Sequence, residues 1–371
     1  MKILIIGEYS AFAKHLKFGF KSLGHKVWIV QTGDGFKAIK GDDEDMTYIC
    51  ENFKIFKFPI YKSYHLRAPF IMKDVRKKVS KLPFLDLIIV INSFFVARNC
   101  FFPGILLSEI TKRKKDGTKL ILSGCGNDPA FHLAHHDGLF RYSEELFGCQ
   151  KRDIPQIKSK VFDWLIKNAT AIIPTSYEYW RSISYYLESR LIQGNLHSPI
   201  PLPISIEETH INSCYGRKIV IFHGVIREQF KGTQYFIEAL NRLQKKYPEK
   251  VDCRVDGKMP YDQYMELFKE IDILLDQTNS YGMGVNAVIG LMKGKVVFTG
   301  NEPENIKALG FDYIPVINAK PDIDYIYAEL EHLILHPELI DEMRQKARLF
   351  AVENLSAEHI AKRYLDTVDI A

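Results

Sequence analysis

Two stretches in the second half of the chain carry residues suited to binding a diphosphate. The first is HGVIREQFKGT (223–233), in which Arg227 and Lys231 lie four residues apart, between a strand pattern and a helix pattern. A guanidinium can donate two parallel hydrogen bonds to a phosphate, and an ammonium attracts it as a compact positive charge. The free N–H groups at the start of a helix can donate further hydrogen bonds to the same phosphate. We therefore expect an anion-binding turn here. A loop with solvated basic residues is the alternative.

The second stretch is IDILLDQTNSYGMGVNAVIGLMKGKVVF (271–298), where a strand pattern leads through Gly282 and Gly284 into a helix pattern. Glycine lets a ligand approach the backbone closely, and the first N–H groups of a helix, including that of Val285, favour a phosphate. An ordinary strand-to-helix turn is the alternative. Two such turns in one half of the chain favour a common diphosphate site.

A third stretch, SGCGNDPAFHLAHHDG (123–138), lies in the first half and also follows a strand pattern. An aspartate or histidine there could accept the proton of an attacking hydroxyl, and we select Asp128 and His132 as catalytic candidates. The alternative is structural, because Asn-Asp-Pro is a good helix start that Asp128 would cap. His132, His135 and His136 lack a fourth ligand at helical spacing, so we expect no metal site.

A repeated strand–helix pattern must position these three stretches. Near-continuous apolar runs indicate parallel strands that are buried on both faces; they include KILIIG (2–7), LDLIIVI (85–91) and KIVIFHG (218–224). Pro199, Pro201 and Pro203 interrupt the pattern, which then restarts. The sequence therefore predicts an α/β protein of two tandem Rossmann-like domains, over residues 1–200 and 201–355.

Several nucleotide-binding and hydrolase motifs are absent from the sequence. Gly7 ends the first strand pattern, but Glu8, Tyr9 and Ser10 follow it, so the dinucleotide fingerprint G-x-G-x-x-G is missing. Neither G-x-x-x-x-G-K-[ST] nor G-x-S-x-G occurs. These absences argue against a nicotinamide-dependent dehydrogenase, a P-loop protein and an α/β-hydrolase.

The cysteines and the apolar segments indicate a cytoplasmic protein. The six cysteines form no C-x-x-C pair, which suits a reducing compartment; they are Cys50, Cys100, Cys125, Cys149, Cys214 and Cys253. The N-terminal apolar run covers four residues, too few for a signal peptide. The apolar segment 85–107 contains Asp86, Asn92, Arg98 and Pro103, so we expect a buried strand there and not a membrane span.

Charge is distributed unevenly along the chain. Residues 1–200 contain 30 Lys and Arg against 19 Asp and Glu, whereas residues 201–371 contain 20 against 26. The basic first half suggests contact with an anionic membrane surface or an anionic acceptor, and a solvated basic face is the alternative. No nucleic-acid-binding motif accompanies the basic residues, so a nucleic-acid partner is not expected.

The motifs resemble those of GT-B glycosyltransferases, in the large retaining group called family 4 (group 1) that includes enzymes of bacterial polysaccharide synthesis. Gly224, Arg227, Lys231 and Gly232 fit a family pattern of G-x-x-x-R followed by K-G, with slightly altered spacing. Gly282-Met283-Gly284 resembles the family's G-F-G, and Gly294 with Val296 and Val297 fits the end of the pattern E-A-M-A-x-G-x-P-V-V. The resemblance covers nearly the whole chain.

The resemblance implies a fold and a reaction. In such enzymes Arg227 and Lys231 would hold the diphosphate of a nucleotide-sugar donor, and the sugar would pass to a glycan or lipid-linked glycan with retention and without a metal. The acceptor would lie on the first domain near Gly7, Tyr9 and Asn127. A last helix within 356–371 would return to the first domain, and the two domains would close over the donor.

Two positions depart from the family pattern. Alignment on Gly284 and Gly294 puts Tyr281 at the first glutamate of the family and Ile289 at the second, which grips the donor ribose. Isoleucine accepts no hydrogen bond, and loss of such a contact weakens binding by ~1.5–3 kcal/mol unless another group replaces it. The candidates for donor sugar or ribose contacts are Asn286, Glu302 and Glu304.

Two other functions are compatible with the sequence. A sugar-nucleotide epimerase can use the same fold, and it would need acidic or histidine side chains facing the sugar. A GT-B protein that has lost catalysis and binds a glycan or a partner would explain Ile289 directly.

Overall fold

Two parallel β-sheets organise the part of the chain that the structure, a computed structural model, describes: residues 1–47, 73–97, 104–147 and 156–368. The first sheet has the order β3-β2-β1-β4-β5-β6 and all its strands are parallel. Its strands are β1 (Lys2–Ile6), β2 (Lys26–Gln31), β3 (Met46–Thr47), β4 (Leu87–Ile91), β5 (Lys119–Gly124) and β6 (Ala171–Pro174).

Helices cover both faces of the first sheet, and two clusters of buried apolar side chains fill the space between sheet and helices. The helices are α1 (Phe12–Ser22), α2 (73–80), α3 (Phe94–Ala97), α4 (Gly104–Lys115), α5 (Pro129–His136), α6 (Ser143–Phe147), α7 (Gln156–Asn168) and α8 (Tyr177–Arg190). The strand order reverses beside β1, which creates a crevice at the carboxyl ends of β1 and β4.

The second sheet is also parallel, with the order β11-β10-β9-β7-β8. Its strands are β7 (Ile219–Gly224), β8 (Val251–Asp256), β9 (Ile273–Leu275), β10 (Val296–Thr299) and β11 (Ile317–Asn318). Its helices are α9 (Glu228–Lys231), α10 (Thr233–Lys246), α11 (Tyr261–Leu267), α12 (Val285–Met292), α13 (Pro303–Leu309), α14 (Ile323–Leu335) and α15 (Pro337–Asn354). Here the strand order reverses between β7 and β9.

The last helix, α16 (Ala357–Asp366), packs on α1 of the first domain. Contact is close because Gly19 has no side chain: a Cβ there would lie 1.9 Å from the carbonyl oxygen of Ala357. Tyr364 Oη lies 3.0 Å from Ser123 Oγ at the end of β5. Two Rossmann-like domains with a returning C-terminal helix are therefore confirmed, while the boundaries at 200 and 355 stay a prediction.

Two helix predictions need correction. The pattern over 323–349 predicts one helix, but α14 ends at Leu335 and α15 begins at Pro337, whose ring nitrogen has no hydrogen to continue the helical bonding. The helix predicted over 261–272 ends at Leu267, and a turn leads into β9.

The apolar segment 85–107 contains β4, then α3 and the start of α4; residues 98–103 lie outside the described residues, as do Cys50, Cys100 and Cys149. Cys125, Cys214 and Cys253 are free thiols. Of the helices in the described ranges, none combines the length and the hydropathy needed to cross a membrane.

Candidate functional site

A cleft lies between the carboxyl ends of the two sheets and receives side chains from both domains. Its volume is about 430 Å³, within the range of about 300–1,000 Å³ that is typical of small-molecule sites. Its lining comes from the segments that follow seven strands: Tyr9 and Ser10 after β1, Asp34 and Lys37 after β2, Phe94 after β4, Asn127 after β5, Glu178 after β6, Arg227 and Lys231 after β7, and Gln277 and Gly284 after β9. Ligands bind at this edge of α/β sheets in general.

The two basic residues of the first diphosphate turn occupy different environments in the cleft. Arg227 precedes α9 and is exposed, with its guanidinium 4.4 Å from the centre of the Phe230 ring. Lys231 is buried and donates a hydrogen bond to Oδ1 of Asp276, at the end of β9. Burial lowers the pKa of Lys231, and the Asp276 carboxylate opposes that shift.

One hydrogen bond closes the loop of the second diphosphate turn, and two others tie this loop to the first turn. Gln277 Nε2 donates to the carbonyl oxygen of Gly282 at 2.9 Å, the backbone N–H of Thr278 donates to the carbonyl of Lys231 at 3.2 Å, and Asn279 Nδ2 donates to the carbonyl of Gln229 at 2.8 Å. The loop between β9 and α12 is therefore fixed against the turn that carries Arg227 and Lys231.

The glycines of the second turn serve close packing. A Cβ on Gly282 would lie 2.7 Å from Asn305 Oδ1, and a Cβ on Gly284 would lie 3.2 Å from Gln277 Oε1. Gly284 precedes α12 with a φ of −87°, so the position does not depend on left-handed backbone. The first N–H groups of α12, from Val285 onward, thus start at the cleft.

The structure brings eight of the residues selected from sequence together on the lining of this cleft: Tyr9, Asn127, Arg227, Lys231, Gly282, Gly284, Val285 and Asn286. Five others are not part of the lining: Gly7, Asp128, His132, Glu302 and Glu304. Gly7 has a φ of +111°, and a Cβ there would lie 2.3 Å from the Phe95 ring, so this glycine allows the packing of α3 behind the cleft.

Asp128 acts as the N-terminal cap of α5, as the structural alternative predicts. Its Oδ1 accepts a hydrogen bond from the backbone N–H of Phe131 at 2.8 Å, and Pro129 is the first helical residue. Burial raises the pKa of Asp128 to about 7. His132 lies in α5 and is half-buried. The catalytic assignments of these two residues stay predictions.

The other two histidines of this stretch have partners within the first domain. His135 Nδ1 lies 3.1 Å from Ser143 Oγ, and burial lowers its pKa to about 3. His136 is exposed beside Asp137. Within the described ranges, no group of three or more His, Cys, Asp or Glu residues is arranged to hold a metal ion.

Glu302 and Glu304 join the two domains in this conformation. Arg141 donates through Nη1 to Glu302 Oε2 and through Nη2 to Glu304 Oε1, both at 3.1 Å. Tyr142 Oη donates to Glu302 Oε1 at 3.0 Å. Both carboxylates are therefore occupied by the first domain, whereas Asn286 faces the cleft; the role of all three toward the donor stays a prediction.

Ile289 lines a smaller apolar pocket that adjoins the cleft near Ser10 and Asn286. The walls of this pocket are formed by Phe36, Ile226, Met259, Tyr261, Tyr264 and Ile289. Tyr264 Oη has no hydrogen-bond partner among the described residues. The pocket therefore offers a phenol and apolar surface where the resemblance implies a carboxylate.

Two parts of the cleft were not selected from the sequence. One is a cluster at its rim, where Lys37 Nζ donates to Ser10 Oγ at 2.5 Å and to Asp34 Oδ2 at 2.6 Å. Ser10 and Asp34 both have a φ of 54°, an unusual conformation for residues other than glycine and one that concentrates at functional sites. The run TGDG (32–35) after β2 was the available signal.

The other missed residue is Glu178, whose carboxylate is buried on the cleft lining. It follows β6 within the sequence PTSYEYW (174–180). A polar run at the carboxyl end of a parallel strand was the signal that could have identified it.

No protein-family model matches the sequence, and no curated protein matches it. Solved structures nevertheless match the fold over almost the full chain. Sucrose-phosphate synthase from Thermosynechococcus elongatus is 10% identical, with a TM-score of 0.63 over 99% of this chain and 98% of that one. HepE from Anabaena, solved in complex with UDP-glucose, is 12% identical, with a TM-score of 0.60 over 99% of each chain.

A third similar structure is the UDP-forming α,α-trehalose-phosphate synthase from Burkholderia vietnamiensis. It is 11% identical, with a TM-score of 0.58 over 100% of this chain and 99% of that one. All three are GT-B glycosyltransferases, and at such low identity the likeness establishes the fold. The chain therefore has the GT-B fold that its motifs imply.

Proposed function

We propose that the protein transfers a sugar from a nucleoside diphosphate sugar to a glycan or lipid-linked glycan acceptor. The observation that carries the proposal is the convergence of Arg227, Lys231 and the N-terminus of α12 on one cleft at the carboxyl edge of the second sheet. Fixed cations and N–H groups stabilise the charge that develops on a leaving diphosphate. The family resemblance adds retention of configuration and metal independence to the proposal.

UDP-sugars are the first donor class to test. HepE was solved with UDP-glucose and with UDP and glucose, and it shares this fold over the full chain. In the present chain the nucleoside would lie in the cleft beside Asn286, with its base against the mouth of the small apolar pocket that adjoins the diphosphate turns. Its apolar walls suit a base better than a charged group.

The acceptor would enter from the first domain. Tyr9, Ser10 and Asn127 line that side of the cleft and offer a phenol, a hydroxyl and an amide to a glycan. The basic balance of residues 1–200 suits an acceptor held at an anionic membrane surface. We therefore propose a peripheral position at the inner face of the membrane for this reaction.

Ligand-induced thermal shift against UDP, GDP, UDP-glucose, UDP-galactose, UDP-N-acetylglucosamine and GDP-mannose tests the donor site. We expect at least one nucleoside diphosphate and its sugar to raise the melting temperature in the presence of EDTA, because ligands that bind the native state stabilise it. Absence of any shift would contradict the donor site. A shift that requires a divalent cation would contradict metal independence only.

A protein that binds its ligand without catalysis is the second candidate, and Ile289 in the adjoining pocket is the observation that favours it. Incubation of the bound sugar nucleotide with glycan acceptors separates the two functions. Release of nucleoside diphosphate with glycoside formation supports transfer, whereas binding without release supports the binding protein. Formation of the epimeric sugar nucleotide without an acceptor would indicate an epimerase.

A further inference from the structure

A lysine of the first domain lies on the same cleft as the two diphosphate turns. Lys37 ends the short 3₁₀ turn Gly35–Lys37 after β2, and it lines both the cleft and the small apolar pocket beside Asn286. Its charge acts on Lys231: burial lowers the pKa of Lys231 most, and the positive charges of Arg227 and Lys37 lower it further. Three cations, contributed by both domains, therefore surround one space.

The ammonium of Lys37 is held in place but is not enclosed. Its Nζ donates to Ser10 Oγ at 2.5 Å and to Asp34 Oδ2 at 2.6 Å, and these are its acceptors among the residues that the structure describes. An ammonium has three hydrogens, so one is left for a ligand. The side chain of Lys37 is 19% exposed and that of Lys231 is 7% exposed. Lys37 is therefore the more accessible of the two lysines on the cleft lining.

The pairing of Lys37 with Asp34 leaves part of the lysine charge available to an anion. Asp34 is 20% exposed, and solvent weakens such a pair more than it weakens the buried pair of Lys231. Asp34 Oδ2 also accepts from the backbone N–H of Ser10 at 2.8 Å, so its negative charge is shared between two donors. An anion bound between the domains would relieve the repulsion among the three cations.

The two loops that hold Lys37 have an unusual backbone conformation. Ser10, Ala11, Asp34 and Ala38 have φ values between 49° and 71°, and they are four of the seven residues other than glycine with a positive φ within the described ranges. Such residues cost conformational energy and concentrate at functional sites. The chain therefore keeps an unfavourable backbone at both residues whose side chains bond Lys37.

We propose that Lys37 is a phosphate-binding residue of the first domain, which contacts the diphosphate of the donor while Arg227 and Lys231 contact it from the second domain. This assignment rests on the proposed function and adds to the diphosphate site a cation from the other domain. Because the diphosphate would then contact both domains, its binding would draw them together and exclude water from the space between them.

Calorimetry with UDP, or with the nucleoside diphosphate of the panel that binds the wild type best, compares Lys37→Met with the wild type. Methionine keeps most of the length of the side chain and removes the charge. We expect the affinity to fall roughly tenfold, because a hydrogen bond to a charged group is lost. The melting temperature without ligand shows whether the variant is folded. Unchanged affinity would overturn the assignment while the donor site stands.

Asp34→Asn separates a role in binding from a role in holding the loop. The amide oxygen can still accept from the N–H of Ser10, and asparagine tolerates the left-handed backbone, but the negative charge beside Lys37 is removed. We expect UDP to bind about two- to fivefold more tightly, because no carboxylate repels the diphosphate or competes for the ammonium. If Lys37 only held the loop, this variant would bind UDP equally or less tightly, and either result would overturn the assignment.

Lys21→Met is the matched control, because it makes the same substitution at an exposed lysine of the first domain that also pairs with an aspartate, Asp42, and lies outside the cleft lining. It should leave the affinity for UDP unchanged. A loss equal to that of Lys37→Met would show an effect of net charge alone and would overturn the assignment. Failure of every nucleoside diphosphate to bind the wild type would overturn the proposed function as well.

Discussion

Lys231 and Asp276 form a buried ion pair in the floor of the cleft. The second oxygen of Asp276 accepts a hydrogen bond from Thr299 Oγ1 at 3.0 Å, so the carboxylate is held from two sides. The charge of Lys231 is therefore balanced before any ligand binds. Exposed Arg227 and the start of α12 supply the attraction for an anion, and Lys231 contributes as one member of a pair.

Replacement of Lys231 alone should destabilise the fold as well as the site. Lys231→Met leaves the Asp276 carboxylate buried without its cation, and we expect the free energy of unfolding to fall by about 3–5 kcal/mol. The double variant Lys231→Met with Asp276→Asn should recover more than half of this loss, since no charge stays buried. Urea unfolding measures both; equal losses in the single and double variants would contradict the pairing.

Arg227 offers a cleaner test of anion binding, because its side chain is exposed. Arg227→Ala should weaken UDP binding by roughly 10- to 150-fold, the effect of ~1.5–3 kcal/mol for hydrogen bonds to a charged group. The melting temperature should stay close to that of the wild type. Arg242→Ala is the control, as an exposed arginine on α10 that pairs with Glu238 and Asp324. Unchanged UDP affinity in Arg227→Ala would remove Arg227 from the site.

Glu302 and Glu304 share one partner, Arg141, but their side chains differ in burial. Both bond Arg141, but the side chain of Glu302 is 6% exposed and also accepts from Tyr142, whereas that of Glu304 is 40% exposed. We expect Glu302→Ala to lower the free energy of unfolding by about 2–3 kcal/mol and Glu304→Ala by less than about 1 kcal/mol. Chemical denaturation measures both losses. Equal losses would show that the contributions of the two contacts to the free energy of unfolding do not depend on their burial.

Glu8 should make stability depend on pH. Its carboxylate accepts from the backbone N–H groups of Ala13 and Lys14 at the start of α1, yet burial raises its pKa to about 8 from an ordinary 4.5. A raised carboxyl pKa favours the folded state at low pH, and this contribution is lost as the pH rises from about 4.5 through 8. The loss is at most ~1.4 kcal/mol per pH unit for one proton.

Glu8→Gln isolates this term, because the amide resembles the protonated acid and does not titrate. As the pH rises from 5 to 8, the free energy of unfolding of the wild type should fall relative to that of the variant. Denaturation midpoints at four pH values across this interval suffice. A difference that stays constant would mean that Glu8 does not change its protonation there.

Much of the fold follows from local sequence patterns. The buried parallel strands appear as apolar runs, and the proline-rich segment near 200 separates two series of strands and helices. The break between α14 and α15 was missed because the apolar spacing continues through His336 and Pro337, although the proline itself marks the helix start. Helix ends such as Leu267 depend on tertiary packing, which local patterns do not encode.

Sequence patterns identify only part of the candidate site. Arg227 and Lys231 stand out because their charges sit at a strand-to-helix turn, and the structure places both on the cleft. The sequence does not show that Lys231 is neutralised by Asp276, 45 residues away. Glu178 lies 102 residues from Ser280, and only the approach of the two domains brings them into contact.

The packing of α16 against α1 has a consequence for the order in which the chain is made. Ile360, Ala361 and Tyr364 complete an apolar cluster with Leu16 and Phe20, which are synthesised more than three hundred residues earlier. While the ribosome adds the second sheet, this apolar face of the first sheet's helix stays open to water and to chaperones. The first half of the molecule therefore acquires its final surface only when the last helix has been released.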